Sequence, residues 1–135
     1  MPRTASPVRR RPVFPGLMTF PASCFLLTLI FDIAYARSAN MMWESTSVWL
    51  LTIGLLAGAL FVLVGLVEAF AFGRWPTMIL RIGYAIALIL SIFNVFIHSR
   101  DGYTSVVPTG LALSAIVALV LLATWTLNLF APRRA

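Results

Sequence analysis

Residues 48–72 read VWLLTIGLLAGALFVLVGLVEAFAF, an apolar run in which Glu68 is the one ionisable side chain. As a helix rising 1.5 Å per residue, this stretch is about 37 Å long. It outreaches a hydrocarbon core of about 30 Å, so it must tilt or protrude. Three more runs of spanning length follow from the same reading, at about 17–36, 77–98 and 107–130. Gly73-Arg74-Trp75-Pro76-Thr77 is a tight connection that makes the second and third helices antiparallel neighbours. The expectation is an all-α polytopic membrane protein, an antiparallel bundle of four transmembrane helices. Composition excludes the soluble alternative: of 135 residues, 61% are hydrophobic and only 10% charged. A globule this small has too little interior to hide that much apolar surface.

All ten basic residues are arginines, set against four acidic residues, for a net charge of +6. The arginines lie outside or at the ends of the apolar runs, so they read as a topology signal and not as a nucleic-acid face. Arg3, Arg9, Arg10, Arg11, Arg74, Arg133 and Arg134 fall on one side, with Arg81 close by; Arg37 and Arg100 fall on the other. The positive-inside rule then puts both termini in the cytoplasm. Interface aromatics agree, with Tyr35, Trp43, Trp49 and Tyr103 outside and Phe72, Trp75 and Phe130 inside. Residues 1–16 form an arm whose Pro2, Pro7, Pro12 and Pro15 break any helix, and residues 131–135 form a short tail. Arg9-Arg10-Arg11, the following apolar residues and Cys24 imitate a secretory or lipoprotein signal. The run from Leu17 is a full span, however, and Pro21 stands where a lipobox needs an aliphatic residue, so a retained first helix is expected. Arg37 to Glu44 reads as an outer loop, and Ser99-Arg100-Asp101-Gly102 as a turn.

Small residues repeat along the spans. Gly54, Gly58, Gly65 and Ala69 share one helical face within about 60°. Gly83, Ala87 and Ser91 do so on the third span, and Gly110, Ser114 and Ala118 on the fourth. Lipid gives helices no hydrophobic reason to associate, so close backbone approach must hold them. The stripes serve packing within the bundle, or one docks a partner subunit or second copy. An ionised group at mid-bilayer costs about 2.5–3.5 kcal/mol on insertion scales. Glu68 and Arg81 lie at similar depth across the short hairpin, and an ion pair between them is expected. Arg81 is on the opposite face from Gly83, so snorkelling to phosphates is the other reading. Asp32, near the outer end of the first span, and Asn94 and His98, four apart on the third, are expected to form an outer polar cluster. Its two readings are a hydrogen-bonded helix clamp and a site for a headgroup, a quinone head or a small ligand.

One cysteine excludes an intrachain disulfide, and one histidine excludes a histidine-rich metal site. Haem needs two facing ligands, and only Met41 or Met42 is placed to meet His98. The sequence shows no Ser/His/Asp set, P-loop or glycine-rich nucleotide motif. Glu68 and Asp32 lie towards opposite surfaces and cannot act as a carboxylate pair.

From Phe14 to Phe130 the chain resembles a known family, the bacterial four-helix membrane proteins of domain-of-unknown-function family 2231. The resemblance rests on Phe14-Pro15, Phe20-Pro21 and Phe31-Asp32 with Tyr35, and on Gly54, Gly58, Gly65 and Glu68. Arg81 and Asn94, then Pro108, Gly110 and Ser114, continue it. It departs at Phe14 and Tyr84, where the family's pattern carries histidines; if those bind a cofactor elsewhere in the family, this chain lacks the ligands. Some relatives are joined to iron–sulfur modules, which by analogy keeps a redox-accessory role open. The function expected is a non-catalytic accessory, assembly or structural subunit, with no cofactor of its own. Its partners would be the bilayer and a membrane protein or a second copy, with no nucleic acid. A haem- or quinone-linked subunit and a small oligomeric transporter are the alternatives.

Overall fold

The computed structural model describes residues 11–100 and 106–131. Its helices are α1 (Phe14–Leu17), α2 (Thr19–Ser38), α3 (Met41–Phe72), α4 (Met78–His98) and α5 (Leu111–Phe130), with a wide turn at Val106–Gly110. Four stretches are long and apolar enough to cross a membrane: Phe14–Ser38, Met41–Phe72, Met78–His98 and Val106–Phe130. The expected arm residues 1–10, the Asp101-Gly102 half of the turn, Tyr103, and Pro132-Arg133-Arg134 lie outside the described residues.

The first span starts earlier than hydropathy suggests. Pro15 does not break the helix; it occupies the first turn of α1, where a missing N–H costs little. The division between α1 and α2 at Met18 has its cause in Pro21, which cannot donate to the carbonyl four residues back. Flanking bonds persist, from Met18 N to Phe14 O and from Ala22 N to Met18 O, so the chain continues in nearly the same direction.

The outer loop expected from Arg37 to Glu44 shrinks to two residues. Ala39 turns left-handed at φ 49°, its N–H bonding Tyr35 O. Asn40 then caps α3, its Oδ1 accepting from Met42 N at 3.0 Å. Met41 to Ser47 is therefore helical, and α3 reaches 32 residues, about 48 Å at the usual rise. At its far end Gly73 takes φ 63°, and the N–H groups of Gly73 and Arg74 close on Glu68 O. Thr77 caps α4 through Leu80 N. The fourth span begins with the wide turn, in which Val107 is non-helical, so regular helix starts at Leu111.

Around the bundle, α2 packs closely on α3 and α5, and α5 on α4; α3 and α4, though consecutive, meet over a smaller area. The core is Phe14, Met18, Ala22, Phe25, Leu51, Leu80, Tyr84, Ala87, Val117 and Leu121. Large apolar side chains such as Leu56, Phe70, Phe96 and Leu119 point outward. That surface far exceeds the apolar patches soluble proteins tolerate and suits a lipid belt.

The glycines of the small-residue stripes pack inside the molecule. A Cβ on Gly54 would lie 2.8 Å from the Phe25 ring, and one on Gly65 would lie 2.5 Å from the Phe14 ring. At Gly58 the obstacle is the end of Leu88, and at Gly83 it is Thr124. Gly110 is buried where the wide turn meets α5.

Candidate functional site

The bundle buries a polar network at the end of α2 where Asp32 lies. Asp32 is fully enclosed, with Asn94 and His98 from α4 and Ser114 from α5 around it. Asn94 Nδ2 donates to Ser114 Oγ at 2.8 Å. Ser114 Oγ in turn donates to Asp32 Oδ2. His98 Nε2 meets Asp32 Oδ1 at 3.1 Å, and His98 Nδ1 meets Asn94 O at 3.0 Å. The contacts form a ring that leaves Asn94 by its side chain and returns to it by its backbone, tying α2, α4 and α5 together.

Local sequence explains each position. Ser91, Asn94 and His98 follow one another at three and four residues, so they share the buried face of α4 with Gly83 and Ala87. Ser114 occupies a small-residue position of α5, where its hydroxyl reaches the Asp32 carboxylate. Glu44 and Ser47 are buried on the first turns of α3, towards the same end of the bundle.

The geometry assigns protons. A carbonyl oxygen only accepts, so Nδ1 of His98 carries a hydrogen. One proton then remains between Nε2 and Oδ1. Wherever it sits, as imidazole with carboxylic acid or imidazolium with carboxylate, the pair is neutral overall. That is how an acid and a base are accommodated at membrane depth. Ser91 Oγ and Asn94 Oδ1 are buried with no hydrogen-bond partner among the described residues.

Serine, histidine and aspartate do converge here, which the sequence reading did not foresee. Their order is not that of a nucleophilic triad. A triad places the imidazole beside the serine, whereas here the carboxylate lies between Ser114 and His98. Both ring nitrogens of His98 are engaged, so as arranged neither is open to ligate an iron.

The expected Glu68–Arg81 ion pair is not made. Glu68 turns to the start of the first span: its two oxygens accept from Val13 N at 3.0 and 2.9 Å, and Oε2 also accepts from Phe14 N at 2.8 Å. The opening N–H groups of a helix have no partner in their own helix. A carboxylate supplied by α3 satisfies two of them and also favours the positive end of the peptide dipoles. Arg81 instead lies 5.1 Å from the Trp75 ring and donates to Met78 Sδ at 2.9 Å.

Asp32 lies six residues before the end of α2 and Glu68 four before the end of antiparallel α3, so they sit towards opposite ends. Between them the core is Phe25, Leu51, Ala87, Val117 and Leu121. Among the described residues that layer holds no carboxylate or imidazole to carry a proton across.

The polar cluster could be anticipated for Asp32, Asn94 and His98, because depth and the four-residue interval place them. Ser114 was read as a packing residue. A hydroxyl at a small-residue position opposite a buried acid was the available signal. Glu44 was hidden in the supposed loop, and the capping role of Glu68 had no local signal.

A family model described as a predicted membrane protein (DUF2231) matches residues 10–127. The chain belongs to that family. No curated protein matches it, and no solved structure does. The match covers the whole bundle apart from the last turn of α5, and it includes both Glu68 and the network around Asp32. Phe14 and Tyr84 meet edge to face with 6.0 Å between ring centroids.

Proposed function

We propose that the protein is a non-catalytic subunit of a membrane complex, embedded in the bacterial inner membrane with both termini in the cytoplasm. The observation that carries this reading is the ring of hydrogen bonds around Asp32. Its acid, base and hydroxyl are turned on one another and hold three helices in register. Glu68 is spent in the same way on the start of the first span. A bundle organised like this presents a fixed apolar exterior, on which a partner helix or a second copy is seated by shape. The arginine distribution supports the orientation.

The test begins with purification in mild detergent. A membrane-protein partner retained at fixed stoichiometry, whose level falls in cells lacking this chain, is the expected result. Asp32→Asn should lower the melting temperature while the partner is retained. A partner-free protein whose reconstituted proton-coupled flux is abolished by Asp32→Asn would replace this reading with a transporter.

A further inference from the structure

Where α3 and α4 diverge, a cavity of about 230 Å³ opens between them. Small residues create it: Gly65 and Ala69 on α3 face Ala85 on α4. Its walls are apolar, including Val62, Leu66 and Leu88, and Arg81 and Trp75 stand at one end. Leu66, Trp75, Arg81 and Ala85 are exposed, so the mouth lies on the lipid-facing side of the bundle.

Arg81 is the unusual member. The guanidinium has five N–H donors, and Met78 Sδ is the acceptor it finds among the described residues. Glu68, the carboxylate closest to it in depth, is occupied by Val13 and Phe14. Arg81 lies one turn inside the start of α4, a depth from which a long side chain reaches the headgroup layer. Trp75 beside it is a residue type that settles at that layer. From Arg81 to Leu88 the cleft runs along α4 for about 10 Å, inward from the charge.

We propose that this cleft binds a phospholipid with an anionic headgroup, its phosphate on Arg81 and one acyl chain between α3 and α4. The apolar walls match an acyl chain, and the cation at the mouth has no acidic partner among the described residues. A net negative headgroup supplies that charge, whereas a zwitterionic one brings its own competing cation. The site is independent of the Asp32 network, and its failure would leave the subunit reading untouched.

The experiment is native mass spectrometry of the full chain, delipidated and then offered an equal mixture of phosphatidylglycerol and phosphatidylcholine. Phosphatidylglycerol should be retained about fivefold over phosphatidylcholine, the effect of one basic residue at an anionic surface. Arg81→Gln should remove the preference and Arg81→Lys keep part of it. Ala85→Phe, which fills the cleft from an exposed position, should reduce retention of phosphatidylglycerol with Arg81 intact and the melting temperature unchanged. Equal retention of the two lipids overturns the proposal, as does a preference that survives Arg81→Gln. Displacement of phosphatidylglycerol by excess inorganic phosphate, with Ala85→Phe without effect, overturns the acyl-chain assignment in favour of a free anion.

Discussion

Glu68 has two kinds of partner within conceivable reach, a guanidinium and a pair of backbone N–H groups, and it takes the N–H groups. The choice follows from what each alternative leaves behind. Arg81 can extend to the membrane surface without Glu68. The N–H groups of Val13 and Phe14 cannot, because they are fixed at the start of a helix that Phe14 buries against α3. A buried donor without a partner costs about 1–3 kcal/mol. Glu68→Ala should therefore destabilise the bundle, while Arg81→Gln leaves stability unchanged. Reversible denaturation in detergent would check both, and equal losses would point back to an ion pair. The ring around Asp32 follows the same logic, since both oxygens of its carboxylate are met by groups from other helices, His98 of α4 and Ser114 of α5.

At the scale of the elements, the glycines differ in what surrounds them. At Gly58 an added methyl meets the flexible end of Leu88, which can swing aside. At Gly83 it would fall 2.0 Å from Thr124 Oγ1 and 2.7 Å from Thr124 Cβ. Thr124 is held to its own helix by a bond to Val120 O, so α4 would have to move off α5. Gly83→Ala should cost about 1–3 kcal/mol by overpacking, and Gly58→Ala far less. Melting temperatures of the two variants in one detergent would decide, and equal values would show that α4 and α5 are not in close contact at Gly83. Caps also act at this scale. Asn40 lets α3 begin at Met41, and that start brings Glu44 and Ser47 into the buried end of the bundle.

For the whole molecule, four crossings require both termini on the same side of the membrane. Cys24 is the sole native cysteine and is buried, so it should stay silent to a maleimide. Cysteines placed at Arg3 and Arg134 should then label together, from the same side of sealed vesicles. Labelling from opposite sides would mean that one stretch does not cross. The arginine bias further expects that side to be the cytoplasm. The smaller contact between α3 and α4 also belongs to this scale. A five-residue connection keeps the two helices adjacent in order, yet α2 and α5 take most of the packing.

Hydropathy is a local property that adds along the chain, and the bilayer imposes a length on it. The number of spans, their approximate limits and the grouping of a polar cluster at one end of the bundle were therefore legible in the residues themselves. Asp32, Asn94 and His98 could be grouped from depth and helical interval alone. What the tertiary structure decided was pairing between distant positions. Glu68 meets Val13 from 55 residues away, and Ser114 meets Asp32 from 82. Such contacts depend on how far each helix rotates and slides against its neighbours. Shape complementarity among glycines, Phe14, Phe25 and Thr124 sets those movements, and no stretch of sequence holds that information by itself.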